Sequence, residues 1–475
     1  MSVTSLTRTN PVQAELPTTE RLASFVVSTA VDGAVLKQAT PIVLDTLAVT
    51  LAGGAEPGVR ALMGTLESHT GPGGVASFWS GNRHRADDAA LLIGMASHVL
   101  DYDDVSMLAV CHPSAPVLSA LLATASRERT SGRALLEAFA VGTEVLIRLG
   151  QAMGFRHYTL GFHATATLGT IGAAAACARI MGLDRRQTAH ALAIAASLAS
   201  GLRTNFGSMV KSLHVGIAAS NGQKAARLAA AGIEGTSEAF DGEGFLNAFS
   251  GGEIDVWPDG LALGAPFAVA EPGFEQKRYP CCYLLHKIIE ATLALRRETG
   301  MTLADVKSAL VQMPNGGTKP LIHPRPTSGL NALFSAPYAV VAGLADGRID
   351  LKSFTDEAVL RPEAQTRLAD VTVVEDDTPS KHGADVGAAP VTVTLTPASA
   401  SGSSVSRTIT ALPGSRQDPL TDSQLRAKWN DCLQRAGGRA PAETLQRLFD
   451  EGKALADARS IDGWLGRLTE AVSAD

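Results

Sequence analysis

The stretch Ser97–Val117, SHVLDYDDVSMLAVCHPSAPV, gathers two histidines (His98, His112), three aspartates (Asp101, Asp103, Asp104) and Cys111 between apolar runs. Imidazole is the side chain that titrates nearest neutrality, and a neighbouring carboxylate can orient or tune it, so the mixture fits general acid–base chemistry. His112 stands directly before Pro113, which reads as the opening of a helix. Its ring is therefore expected near a helix N-terminus, where backbone N–H groups favour anions. Asp101 and Asp104, three apart and one turn beyond His98, are expected to share a helix face. A capped polar loop with solvated aspartates would use the same residue types. Zinc favours dense His/Cys spacing, which is missing here, so no metal is expected.

Three more segments carry reactive side chains. In HYTLGFHATATLGTIG, His163 begins a Thr/Ala-rich helical pattern, as a catalytic residue or as a cap. RTNFGSMVKSLHVGIAASNG offers Arg203, Lys211 and His214 among apolar neighbours. Lys211 there is either a snorkelling surface lysine or a cation for a substrate carboxylate. FEQKRYPCCYLLHKIIEA holds Lys277, Arg278, Tyr279, the adjacent Cys281 and Cys282, and His286. Thiols beside basic residues can be redox-active, but adjacent cysteines seldom meet disulfide geometry, so Lys277 or Arg278 is the expected anion ligand.

The elements that must hold these residues are mostly helices. Ala86–Leu100, Ala115–Glu128, Gly132–Met153 and Ala166–Leu183 have helical patterns, several apolar on most faces and so expected to be buried among other helices. After about Pro272 the character changes: 306–314, 370–376, 390–397 and 406–414 alternate and are β-branched, as antiparallel strands would be. Helical stretches at Tyr283–Arg297 and Tyr338–Ala345 interleave with them, and helix returns from Thr421. The expected fold is mainly α. A polar tail (1–19) precedes a large helical domain (20–270 plus 415–475), interrupted by a smaller α+β lid domain (271–414), with the cleft at their join.

Bulk composition narrows the function classes. The 475-residue chain is 45% hydrophobic and 19% charged with net charge −6. That is a packed globular composition with no general basic face for nucleic acid or acidic lipid. An anionic substrate must then be held by a few placed cations. Five cysteines without C-x-x-C spacing, no apolar leader, and no run of ~18 apolar residues lead to the expectation of a cytoplasmic, non-membrane protein.

Taken in order, HVLDYDDVSMLAVCHPSAPV, GFHATATLGTIGAAAACARIMGLD, NFGSMVKSLHVGIAASNG, KRYPCCYLLHKIIEA and FSAPYAVVAGLADGRI resemble the motifs of the MmgE/PrpD family. That family includes 2-methylcitrate dehydratase, cis-aconitate decarboxylase and iminodisuccinate epimerase. ALPGSRQDPLTD is similar to a later element, so the resemblance runs from about Leu22 to Leu468. It implies a helical domain with an α+β lid, a homodimer, and no metal or organic cofactor. Asp101 and His112 match the first active-site motif, and His163 matches the histidine of G-[WF]-H. Lys211 matches the lysine of M-T-K-P-x-H and Lys277 that of K-x-[YFW]-P, while Tyr338 falls in FS-x-x-Y. Val105 stands where many members have threonine, with Ser106 the nearest hydroxyl to replace it. MVKS (Met209–Ser212) and FHAT (Phe162–Thr165) replace M-T-K-P and W-H-P-T.

What the resemblance implies is a carbanion or enolate-like state beside a carboxylate, in a small di- or tricarboxylate-like substrate. Lys211 and Lys277, helped by Arg203, would oppose the growing charge, with His214 and Tyr338 also among the substrate ligands. His112 and His163 form the acid–base pair, and Asp101 orients a histidine or binds substrate. Dehydration of a hydroxy-carboxylate is the leading expectation, followed by epimerisation of an iminodisuccinate-like acid, then cis-aconitate-type decarboxylation. A non-catalytic helical binding protein is the alternative from another class.

Overall fold

The computed structural model describes residues 16–125, 130–254, 262–376, 387–437 and 440–472. Residues 1–15 of the expected tail and Glu128 lie outside them, and Thr18 and Thr19 already belong to the first helix. The body runs α1 (Thr18–Ser28), α2 (Gly33–Gly53), α3 (Pro57–Met63), a short hairpin β1–β2 (Val75–Ala76, Arg83–His84) and α4 (Ala86–His98). It continues through α5 (Ser114–Thr124), α6 (Gly132–Thr159), α7 (Ala164–Met181), α8 (Arg185–Leu198), α9 (Met209–Ala230) and α10 (Phe245–Ser250). One apolar core joins these helices to three from the C-terminus: α16 (Asp422–Arg435), α17 (Ala442–Lys453) and α18 (Asp462–Val472).

Small residues let the helix backbones touch. A Cβ on Gly94 of α4 would stand 2.7 Å from Gly216 Cα, and one on Gly216 of α9 would stand 2.3 Å from the Leu91 carbonyl oxygen. The antiparallel helices therefore cross at van der Waals distance between backbones, which only glycine permits there. His98 ends α4 four residues beyond this crossing, and Lys211 lies five residues before it on α9. The crossing thus fixes the separation of two site residues. α6 keeps its expected pattern to Met153 and then bends at Gly154 (φ 57°, ψ −161°), so that Phe155–Thr159 turns away.

By length and composition α2 and α7 could cross a bilayer, contrary to the expectation that no segment would. They are 78% and 83% buried in the body. Arg179, the charge within α7, donates to the carbonyls of Val26, Val27 and Thr29 at the end of α1. That satisfies helix-end acceptors that would otherwise need water.

A second core lies between residues 279 and 409. Here α11 (His286–Thr299), α12 (Gly329–Ala332), α13 (Ala336–Asp346), α14 (Asp356–Val359) and α15 (Pro362–Arg367) accompany a sheet of order β4-β3-β5-β6. The strands are β3 (Val306–Met313), β4 (Val371–Glu375), β5 (Val391–Pro397) and β6 (Val405–Ile409). Val391, Val393 and Leu395 alternate inward along β5, as their spacing predicts. The antiparallel expectation holds for β3–β5 and β5–β6 but fails for β3–β4, which is parallel. The chain between β3 and β4 carries α12–α15, a helical crossover that returns the next strand in the same direction.

Candidate active site

At the end of α4 the backbone turns left-handed at Asp101 (φ 47°) and leaves the helix. Asp101 and Asp104 consequently do not share a helix face, as the spacing had led us to expect. The chain then pairs with an extended segment just ahead of the second core: Val105 N–H donates to the Glu275 carbonyl (2.9 Å) and Glu275 N–H to the Val105 carbonyl (2.7 Å). Running antiparallel, this bridge brings Lys277 back along the 101–104 turn, from where its side chain reaches Asp101. Ser106 and Cys111 close a small loop, and Val110 inside it also has positive φ (49°). Asp101 and Val110 are the non-glycine residues with left-handed backbone among those described, and both line the same cavity. Such conformations cost of order 1–3 kcal/mol each and cluster at functional sites.

Two ammonium groups converge on Asp101. Lys277 Nζ lies 2.6 Å from Asp101 Oδ1 and also donates to its carbonyl (2.8 Å), while Lys211 Nζ lies 3.2 Å from the same Oδ1. Burial opposes charge on Asp101, but the two lysines outweigh it and hold the carboxyl well below its usual range. Burial likewise works against Lys277, yet Asp101 and Asp103 raise it overall. Lys211 Nζ also sits 5.4 Å from the ring centroids of both Phe206, from the body, and Phe334, from the lid.

Behind this pair the imidazoles are ordered by Asp103. His98 Nδ1 lies 2.8 and 3.0 Å from the two oxygens of Asp103, and His98 Nε2 lies 2.8 Å from Lys211 Nζ. An ammonium is a donor only, so Nε2 must accept and the proton of neutral His98 sits on Nδ1. Burial brings His98 down to about 4, which fits that neutral form. His112 Nδ1 is 3.2 Å from Asp103 Oδ2, off the line of a straight hydrogen bond, leaving Nε2 3.7 Å from Asp101. Its backbone N–H donates to Thr165 Oγ1 (3.0 Å). His163 begins α7 as expected, its Nδ1 3.2 Å from His214 Nδ1. Burial lowers His112, His163 and His214, so all three rings are poised as neutral bases.

Asp101, His112, His163, Lys211 and Lys277 line one cleft of about 770 Å³, its open mouth included. Its other walls are largely apolar: Val105, Met107, Phe155, Phe206, Leu284 and Phe334. Cys282 also faces it, its thiol pushed up to about 11 by burial and then by Asp101, so it is no activated thiolate; Cys281 and Cys282 are both free thiols. Of the two basic candidates it is Lys277 that enters; Arg278 stays half-exposed near Glu290 (3.6 Å).

Other expectations need correcting. Tyr338 is buried in the second core, where its hydroxyl donates to the Ser353 carbonyl (2.5 Å), because α13 turns that face toward residues 351–354 and not the cleft. Arg203 stacks on the Tyr158 ring (4.5 Å) and so stands one layer outside the cavity wall. His214 backs His163 and does not line the cleft. Ser106 does not replace the hydroxyl absent at Val105. Val105 faces the cleft, whereas its neighbour on extended backbone points the opposite way, leaving Ser106 Oγ buried without a partner. Asp104 accepts from Ser114 N–H and Oγ at the start of α5, and burial pushes its carboxyl up to about 8.

Sequence reasoning named His98 and Asp103 without giving them a role, and left out Tyr158, Phe206, Lys319 and Phe334. Asp45 and Lys428 were missed too: Lys428 Nζ lies 2.7 Å from Asp45 Oδ1 and donates to the carbonyls of Tyr102 and Lys277 (2.8 Å each). The C-terminal helix α16 thus holds the backbone on both sides of the Asp101–Lys277 pair.

Ligating atoms of His98, Asp101, Asp103 and His112 lie within 4.8 Å of one another, a grouping that could hold a cation. Lys211 and Lys277 already present ammonium nitrogens to His98 Nε2 and Asp101 Oδ1 at contact distance. A metal at those atoms would have to displace them, so the donor set fits the lysines better than an added ion.

Comparison with known proteins identifies the family. The model of the MmgE/PrpD N-terminal domain matches residues 20–256, and that of the C-terminal domain matches 279–451. Cis-aconitate decarboxylase of Homo sapiens is 33% identical over 295 residues, 60% of either chain. The cis-aconitate decarboxylase-like protein oryM of Aspergillus oryzae is 26% identical over 461 residues, 92% of this chain and 93% of its own. Cis-aconitate decarboxylase of Aspergillus terreus is 26% identical over 435 residues, 86% of each. The chain therefore spans under two thirds of the human relative's length but most of the fungal ones.

Proposed function

The chain belongs to the MmgE/PrpD family, and from that premise we propose that it is a lyase that releases carbon dioxide from a small unsaturated polycarboxylate. The observation that carries this reading is a cleft in which Lys211 and Lys277 meet at Asp101, Lys319 enters from a loop, and much of the remaining wall is apolar. The retained carboxylates bind at the lysines. The departing carboxylate lies against Val105 and Met107, whose side chains offer it no hydrogen bonds, so its charge is poorly stabilised there. As the carbon–carbon bond breaks, its electron pair remains on the substrate carbon and spreads through the double bond toward a retained carboxylate, where the lysines oppose it. Bound anions also raise nearby imidazoles, and His112, with Asp103 at 3.2 Å, forms the better-supported imidazolium. It delivers one proton to the carbanion and regains it from water. The balance is one carboxylate and one proton in, one C–H bond and one CO2 out.

A second reading, dehydration of a hydroxy-carboxylate, is favoured by the two neutral rings, His112 and His163, on one cavity. One would take the C–H proton while the other protonates the leaving hydroxyl. The curated relatives' names make cis-aconitate the first acid to try. Purified protein incubated with cis-aconitate, 2-methylcitrate, citrate and an iminodisuccinate-like acid is expected to release CO2 from cis-aconitate. A new alkene without CO2 from a hydroxy acid would replace this reading by dehydration. Deuterium exchange without net conversion would replace it by epimerisation. Binding without any turnover would leave a non-catalytic binding protein.

A further inference from the structure

We infer that Lys319 is the ligand of a remote substrate carboxylate and makes the cleft selective for acids with more than one carboxylate. The inference rests on the polycarboxylate reading above and adds to it the residue that counts the charges.

Lys319 lines the same cleft as Lys211 and Lys277, from a lid loop rather than from the body. The other two lysines share one protein carboxylate, Asp101, and so are partly neutralised. Among the described residues Lys319 has no carboxylate within 4 Å. Counting only groups that face the cleft, three ammonium charges stand against one carboxylate. A single substrate carboxylate would satisfy the Lys211–Lys277–Asp101 group and leave Lys319 unanswered. A second or third restores the balance.

The loop is built to hold that lysine in place. β3 and β4 run in parallel register to the pair Met313 and Glu375, after which the chain leaves β3 into the loop. Glu375, at the end of β4, reaches over the loop and accepts from Gly316 N–H (3.0 Å), Thr318 N–H (2.7 Å) and Thr318 Oγ (2.5 Å). Gly316 has φ +81°, a conformation glycine adopts without strain, and Gly317 N–H donates to the Pro314 carbonyl (2.9 Å). Pro320 follows Lys319 and also lines the cleft. Glu375 feels the charge of Lys319, but its oxygens are committed to the loop's own donors. The loop fixes the backbone that carries Lys319, while its exposed side chain is left to be ordered by the anion it binds.

The test uses full-length protein and binding as well as turnover. Affinities of tricarballylate, glutarate and butyrate are measured by calorimetry for the parent, Lys319→Met and Lys319→Arg. A charge-assisted hydrogen bond is worth roughly tenfold to a hundredfold in affinity. Lys319→Met is expected to weaken tricarballylate by about that factor, to leave butyrate within twofold, and to be largely rescued by arginine. With cis-aconitate as substrate the loss should fall on KM more than on kcat. Equal affinity of parent and Lys319→Met for tricarballylate overturns the inference, as does an equal loss for butyrate. Absence of CO2 release by the parent would defeat the proposed reaction while leaving these affinities to decide the role of Lys319.

Discussion

Asp103→Asn probes how the site controls its protons. Asp103 accepts from His98 Nδ1 at 2.8 Å and faces His112 Nδ1 at 3.2 Å as a charge partner, off the line of a straight hydrogen bond. Asparagine keeps the shape but offers one accepting oxygen, and its NH2 requires an acceptor from the second ring. His98 cannot supply it, because moving its proton to Nε2 would set two donors face to face with Lys211 at 2.8 Å. His112 must therefore change tautomer, placing N–H toward the cleft and losing the counter-ion of its protonated form. At an effective dielectric constant near 20, a unit pair at 3.2 Å is worth about 5 kcal/mol. Tenfold in rate is about 1.4 kcal/mol, so even partial loss corresponds to a fall in kcat of roughly 10²–10⁴. The assay is CO2 release at saturating cis-aconitate, with thermal unfolding to verify that the variant is folded. A folded Asp103→Asn protein with kcat within threefold of the parent would refute the tautomer argument.

Three further outcomes follow from the packing. Gly216→Ala drives a Cβ to 2.3 Å from the Leu91 carbonyl and should cost about 1–3 kcal/mol in urea unfolding while lowering kcat, since it separates His98 from Lys211; an unchanged midpoint would contradict the crossing. Lys428→Met strands Asp45 in the core and should cost about 3–5 kcal/mol, with much of it recovered in Asp45→Asn/Lys428→Met; no recovery would show that the charge pair is not the cause. Burial brings His98 and His157 down to about 4, against 6.5 when exposed, so between these values the unfolded chain binds more protons than the folded one. Stability is then full above pH 6.5 and falls as pH drops toward 4, by up to about 3 kcal/mol for each ring; urea melts that agree at pH 7 and pH 5 would rule this out.

Legibility in the sequence followed the range of the interactions. Helix positions were plain because apolar periodicity is local, and Asp101, His112, His163, Lys211 and Lys277, named from ordered motifs, all line the cleft. Their neighbours were harder. His98 and Asp103 were in view, but their contact forms across a helix end created by the left-handed Asp101, which helical spacing does not anticipate. Tyr338 lies in a recognisable motif, yet the direction of its side chain is decided by how α13 packs in the lid. The parallel β3–β4 pairing depends on a crossover with no signature within either strand. Asp45 and Lys428 come from opposite ends of the chain, and neither has a local sequence partner to mark it.

The most direct measurement is a turnover of cis-aconitate in deuterated water followed by NMR, with CO2 trapped in parallel. Decarboxylation with protonation by an exchangeable imidazolium predicts one CO2 per product molecule and one deuterium at a single carbon, both lost together in His112→Asn. Product formed without CO2, or CO2 release undiminished in His112→Asn, would contradict the account.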